Sequence, residues 1–397
     1  MTPLALTAMT ATSCIGRGLP QTLAALRAQQ SGLAPCAFET VDLATCVGEV
    51  AGVDAEQIPA ALRDFDCRNN RLAHLGLRQD GFDETVRAAA ARWGRQRVGV
   101  YLGTSTSGIL QTEIAYRHRD PQTGALPGDF HYKGTQNLFS VADFLRRALD
   151  LRGPAAVISC ACSSSAKVFA SAARMIEAGL IDAAVVGGVD SLCLTTLYGF
   201  HALQLTAVDP CRPYDVARAG ISISEAAAFV LIERRAADLD ADGVCLLGTG
   251  ESSDAWHMSS PHPEGLGARN AINDALARAS LAPRDIDYIN LHGTASQKND
   301  EVEARIVAEL FPQATRASST KGWTGHALGA AGILEAVISL LALEHGFTPG
   351  TLNTRELDSA CGPQIRLENS HGEVRHVMSN SFGFGGSNCV LLFGKST

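Results

Sequence analysis

The chain has 397 residues, 46% hydrophobic and 19% charged, enough apolar material for a sizeable core and too little charge for a disordered chain. Its formal charge of −8, with no block of Lys or Arg, argues against nucleic acid as the main partner but leaves room for a local basic patch. No uninterrupted apolar run spans a bilayer and the N-terminus lacks an export pattern, so a reducing, cytoplasmic compartment is expected, with the eleven scattered cysteines mostly small buried hydrophobes.

In chain order, "PLALTAMTATSCIG" predicts a strand and turn, and "QTLAALRAQQSG" a helix ended by Gly32. "RVGVYLG" and "AAVVGGVD" are short buried strands of a covered sheet, and "EAAAFVLIER" (225–234) is another. The polar stretch "RRAADLDADG" (234–243) is the best boundary, giving units 1–240 and 241–397. Beyond it, "HPEGLGARNAINDALARASL" predicts loop and helix, "DYINLHGTAS" strand and loop, and "GAAGILEAVISLLAL", interrupted by Glu335, a buried helix. Residues 156–188 and 317–346 share one plan: a short strand or turn, a small polar junction, then a long Ala-rich helix ending near Gly179 or Gly346. Two halves built alike would aim two helix starts at one site; two ordinary strand–helix units are the alternative.

The first junction, "VISCACSSSAKVF", carries Cys160 and Cys162. A helix start favours a thiolate through its unpaired N–H groups and dipole. With a helix beginning near Ser163, Cys162 stands at that end, whereas Cys160 lies two residues back and would pack inward. Cys162 is the better nucleophile; a merely buried cysteine is the alternative. His292 in "NLHGTASQKND" and His326 in "SSTKGWTGHALGAAG" follow small or apolar stretches in Gly-rich turns, with Lys321 and Glu335 nearby as supporting groups. A zinc site on Cys160, Cys162, His292 and His326 is the rival reading. The cysteines are one residue apart and the histidines 34 apart, which does not fit the usual ligand spacing. "LGTSTSG" lacks the Lys of a phosphate loop, and "SNSFGFGGSNCVLLF" leads into a strand rather than a helix, so neither supports nucleotide binding. A Gly-Phe-Gly-Gly turn between strands suits backbone N–H groups presented to an oxyanion.

Taken together, "SCACSSS", "DAWHMSSPHPEG", "HGTASQKND", "STKGWTGHALGAAG" and "NSFGFGGSN", with "QSGL", "DPCRPYD" and "ALEHGFTPGTLN", resemble β-ketoacyl-acyl-carrier-protein synthases of the elongating, Cys-His-His type over essentially the whole chain. The resemblance implies an α/β, thiolase-like, five-layered αβαβα fold, internally duplicated. It also implies decarboxylative condensation of a Cys-bound acyl group with malonyl-acyl-carrier protein. On that likeness Cys162 accepts the acyl group, and its own N–H and that of Phe384 form the oxyanion hole. Phe384 also gates, His292 and His326 act on the malonyl thioester, and Lys321 and Glu335 order the site. Thr294, Ser296 and Ser259 would contact the phosphopantetheine arm, and Thr106 would stand at the acyl-pocket wall and shape chain preference.

No cofactor or metal is implied, because substrates ride on the carrier's phosphopantetheine. The implied partners are acyl-carrier protein and a second subunit, either a like chain or a related one, with Arg68, Arg71, Arg117 and Arg119 as docking candidates. Departures from the pattern point toward a specialised aryl-polyene or polyketide-like pathway rather than housekeeping fatty-acid synthesis. They are "SEAAA" (224–228), Ala219, Ala295, "GTSTSG" and an N-terminus without Thr-Gly-x-Gly. The alternatives are a non-elongating decarboxylase or acyltransferase, a chain-length-factor-like partner, and a thiolase. A thiolase would need a second reactive cysteine, and Cys389 lies in a strand-like run.

Overall fold

Short runs of Val, Ala, Ile and Gly, each long enough for one strand and closed by a turn residue, build two sheets with the same internal plan. A computed structural model describes residues 1–235 and 243–395. In the first half the strands are β1 (Leu4–Ser13), β2 (Val98–Gly103), β3 (Ala155–Ile158), β4 (Ala183–Asp190) and β5 (Ala226–Arg234), arranged β1-β5-β4-β2-β3. In the second they are β6 (Val244–Ser253), β7 (Tyr288–Asn290), β8 (Arg316–Ser318), β9 (His376–Gly383) and β10 (Ser387–Lys395), arranged β6-β10-β9-β7-β8. Position for position, the first two pairings in each sheet are antiparallel and the last two parallel. The halves join where Leu4 and Ala5 pair with Leu246 and Cys245.

Each sheet is covered on both faces, which is why its strands read as nearly continuous apolar runs. Period-2 alternation divides them: Val186 and Val230 face the central layer, while Val185 and Leu231 face outward. The outer layers are the helices Arg68–Leu77, Phe82–Trp93 and Ser140–Ala148 on the first sheet, and α2 (Leu266–Ala279) and α3 (Gln297–Leu310) on the second. Between the sheets lie α1 (Ser164–Glu177) and α4 (Ala331–His345), packed on each other. The layer order is therefore α/β/α/β/α, as expected for a thiolase-like fold.

α4 is apolar all round because it touches protein on every side, and all but its last two residues are buried. The stretch Leu328–His345 has the length and apolarity of a membrane span, yet it lies almost wholly inside the protein. Gly179 and Gly346, both at positive φ, follow the two central helices as the sequence predicts. The first helix falls short of its expected stop: it spans Leu19–Arg27, well before Gly32. Gly32 is instead needed for close packing, since a Cβ there would lie 2.6 Å from the Cys14 carbonyl oxygen. The expected boundary at 240/241 lies outside the described residues.

Candidate active site

The position of Cys162 follows from a sharp local turn. β3 stops at Ile158, Ala161 adopts φ 54, and α1 begins at Ser164 behind an N-cap at Ser163. Ser164 Oγ accepts the Cys160 N–H at 2.9 Å and so cinches the turn. β2 runs directly beneath the helix start, where a Cβ on Gly103 would sit 2.3 Å from the Ser165 nitrogen. Cys162 thus stands one residue before the N-cap, 5% exposed, in the field of the helix's unpaired N–H groups. Its thiol is pushed up to about 11 by burial, with the Lys321 charge and a hydrogen bond from the Phe384 N–H pulling the other way. Cys160 is half-buried, with its sulfur 3.4 Å from Ser163 Oγ.

The two histidines come from different elements of the second half. His292 follows β7, and its N–H donates to Glu303 at 2.9 Å. His326 lies between β8 and α4, after Gly325 at φ 69. Its backbone is strapped to the first half, its N–H donating to the Ser222 carbonyl at 2.7 Å and its carbonyl accepting the Ser224 N–H at 3.0 Å. The rings stand edge to face, with centroids 5.5 Å apart. The Cys162 sulfur and one nitrogen of each ring all lie within 4.8 Å of one another.

Hydrogen bonding decides where each imidazole carries its proton. Nδ1 of His326 accepts the Leu328 N–H at 3.1 Å, so its proton sits on Nε2. Nδ1 of His292 lies 3.4 Å from the Lys321 ammonium, which can only donate, so Nε2 again carries the proton. Burial, reinforced by Lys321, holds both rings well below the usual histidine range. Both are neutral Nε2–H donors at neutral pH. Lys321 also donates to the His292 carbonyl and pairs with Glu335, all three being buried. Burial pushes the Glu335 carboxyl up to about 7 against the pull of Lys321. A dication held by Cys162, His292 and His326 would have to tolerate that ammonium beside one of its ligands.

These groups open into a narrow cavity of about 50 Å³. Thr294, Ser296 and Ser259 line it, with Thr294 Oγ1 2.8 Å from Ser296 Oγ. Phe200, Leu205 and Ile221 line it as well. Half-buried Phe384 packs against Phe200, their ring centroids 5.8 Å apart.

Sequence comparison agrees with this geometry. Residues 1–237 match the model of the β-ketoacyl synthase N-terminal domain, and residues 244–355 that of its C-terminal domain. The chain belongs to the β-ketoacyl synthase family. Nodulation protein E of Rhizobium meliloti is 33% identical over 334 residues, covering 81% of this chain and 80% of that protein. The 3-oxoacyl-[acyl-carrier-protein] synthase 2 of Coxiella burnetii is 34% identical over 317 residues, 75% of each chain. Among solved structures, one chain of the complex of a ketosynthase (ApeO) with its chain length factor (ApeC) from Xenorhabdus doucetiae superposes with a TM-score of 0.89. It is 37% identical and covers 99% of this chain and 98% of that one.

As a β-ketoacyl synthase the chain is a condensing acyltransferase, and nine of the ten expected site residues converge. Cys162, His292, His326 and Phe384 meet at the cavity, Lys321 and Glu335 lie behind the histidines, and Thr294, Ser296 and Ser259 lie along the wall. Thr106 is the exception. It is fully buried, its hydroxyl and N–H both donating to Asp190 Oδ1 at 2.8 Å, and it is not among the cavity-lining residues. Arg68 does not fit a docking role either. It is 6% exposed and ion-paired to Glu225, Glu49 and Asp54, because an arginine inside a protein needs carboxylates around it. Arg71 pairs with Asp66 and Arg117 with Glu39, while Arg119 is exposed. Cys389 is fully buried in β10, which removes the thiolase alternative.

Several contributors were not singled out from the sequence. Asp300 and Glu303 on α3 accept the backbone N–H groups of residues 292–295, and Glu303 also accepts the Tyr214 hydroxyl. Their only sequence signal was acidic residues at the start of a helix following the histidine loop. Ala295 adopts φ 67, a conformation that costs an alanine more than a glycine; its N–H is held by Asp300 at 3.1 Å. Asp254 and Asn388, hydrogen-bonded at 2.9 Å, also line the cavity.

Proposed function

We propose that the chain catalyses the decarboxylative condensation of a Cys162-bound acyl group with malonyl-acyl-carrier protein. The observation that carries this reading is the meeting of one thiol and two neutral imidazole donors at one cavity. In the first half-reaction Cys162 attacks the carrier thioester, and its proton leaves with the pantetheine sulfur. The N–H groups of Cys162 and Phe384 receive the developing oxyanion; the Phe384 N–H already points at this sulfur. In the second, the malonyl thioester oxygen accepts hydrogen bonds from Nε2–H of His292 and His326 as the carbon–carboxylate bond breaks and carbon dioxide departs. The enolate carbon attacks the acyl carbonyl, and the tetrahedral adduct expels the Cys162 thiolate, which takes a proton from solvent to restore the thiol. Because the imidazoles are held neutral, they donate to the enolate without surrendering a proton to quench it. Thr294, Ser296 and Ser259 line the path for the pantetheine arm, and no separate cofactor takes part.

We read the pathway as specialised elongation of the aryl-polyene or polyketide-like kind, with a chain-length-factor-type subunit as partner. The likeness to a chain of a ketosynthase–chain length factor complex supports this, as do the departures at residues 219, 224–228 and 295. The first sheet ends at β3, whose outer edge has no neighbour among the described residues and leads straight into the Cys162 turn. Exposed Tyr116, Tyr132, Leu138 and Phe139 add apolar surface suited to a second subunit. Two units, 1–240 and 241–397, remain our division of the chain, supported by the limits of the two domain matches. Arg71, Arg117 and Arg119 are the remaining candidates for steering an acidic carrier.

Intact-protein mass spectrometry after incubation with a panel of acyl-carrier thioesters tests the reading. It should find the acyl group on Cys162 and β-ketoacyl product after malonyl carrier is added. Release of acetyl carrier alone would make the protein a non-elongating decarboxylase.

A further inference from the structure

The strongest polar cluster outside the cavity surrounds Asp190, the last residue of β4. It is fully buried and makes no ion pair among the described residues. Its Oδ1 accepts four hydrogen bonds at 2.8 Å: the Thr104 hydroxyl, the Ser105 N–H, and the Thr106 N–H and hydroxyl. Its Oδ2 accepts the N–H of Gly329 from the other half of the molecule at 2.5 Å. A carboxylate gathers that many donors only when the surrounding backbone is organised for it. Nothing in the chemistry proposed above uses this group.

What it does use lies one residue away. Leu328 adopts φ 51, an unfavourable conformation for a leucine, and in that conformation its N–H donates to Nδ1 of His326. The next N–H along the chain is the one that Asp190 holds. Gly329 is packed so closely that a Cβ there would meet Ser105 Oγ at 2.7 Å and Asp190 Oδ2 at 2.8 Å. The strained turn is thus kept in place by a carboxylate anchored to the opposite half.

We propose that Asp190 is a positioning residue for His326: by clamping Gly329 to the loop Thr104–Thr106, it keeps the Leu328 N–H on Nδ1 and the ring proton on Nε2. Without the clamp, Leu328 relaxes to negative φ and its N–H swings off the ring. The proton then redistributes between the nitrogens, and a ring with Nε2 unprotonated cannot donate to the enolate. The inference rests on the condensing function proposed above.

The test is Asp190→Asn in the full chain, which keeps the shape but turns one acceptor oxygen into a donor facing other donors. Two partial reactions are measured per alkylatable Cys162 thiol: acyl loading from a carrier thioester, and decarboxylation of malonyl carrier. Loading should stay within about threefold of wild type while decarboxylation falls roughly 10- to 100-fold, short of the ~10²–10³ seen when such a donor is removed outright. Ring ¹⁵N shifts of His326 should report Nε2–H in the wild type and a tautomer mixture in D190N. Should D190N not fold, Thr104→Val removes one of the four donors and should lower decarboxylation relative to loading about threefold or more. Equal losses in both reactions, or an unchanged ratio in the variant that folds, overturn the clamp. Failure of the wild-type protein to load any acyl group would overturn the condensing function itself.

Discussion

The two halves share a strand order and a central helix, and a difference that bears on the site lies in the segment that joins the edge strand to that helix. In the first half five residues (159–163) bridge β3 and α1; in the second, twelve (319–330) bridge β8 and α4. A short bridge allows only a tight turn with one residue in left-handed geometry, and it delivers a single thiol to a helix start. The longer one holds a short helix (Lys321–Thr324), a glycine at positive φ and an imidazole, and it reaches back to bond Ser222 and Ser224 of the other half. The repeated plan supplies the frame, and unequal bridges let one half carry the proposed nucleophile and the other the proposed donors.

A second contrast concerns the loops after the equivalent strands β2 and β7. Both are gripped by buried carboxylates that accept backbone N–H groups: Asp190 for residues 105–106, and Asp300 and Glu303 for residues 292–295. Only the second loop presents a titratable side chain to the cavity. The first serves as an anchor, which is why Thr106 faces Asp190 instead of substrate.

This division of labour can be broken at its sharpest point by Cys162→Ala. The variant should abolish acyl-enzyme formation, whereas Cys160→Ala leaves it largely intact; an acyl mass found on Cys160 would reverse the assignment. Next in size, His292→Ala and His326→Ala should each lower condensation by ~10²–10³ while Cys162 still loads in part. Undiminished turnover in either would mean the second half does not supply the donors.

The smallest expected effect is on stability. Both histidines are neutral in the folded protein well below their usual range, whereas in the unfolded chain they protonate near pH 6.5. Their contribution is therefore fully present above that pH and lost as the pH falls, at up to about 1.4 kcal/mol per histidine per pH unit. Urea midpoints between pH 7 and pH 5 should fall less steeply in a variant with both histidines replaced by glutamine; parallel slopes would contradict the neutral assignment.

Much of this was legible in the residues. The place of Cys162 just before a helix start could be read from the residues, and β4 was read at its full extent from "AAVVGGVD". The two central helices were visible as Ala-rich runs ending at glycine. Arg68 and Thr106 were misplaced for a common reason. An arginine and a threonine are ordinarily surface or wall residues, and nothing local announces the carboxylates, Glu225 and Asp190, that draw them inside from 157 and 84 residues away.

The sequence by itself determined which side chains could do chemistry, the elements that carry them and the repeated plan, because these depend on short-range periodicity and on junction residues a few positions apart. Tertiary structure alone decided that residues 162, 292 and 326 share a space less than 5 Å across, that the imidazoles are neutral, and which nitrogen of each bears the proton. Proximity and burial are set by how the two joined sheets press their central helices together, and the local pattern of a chain does not encode that distance.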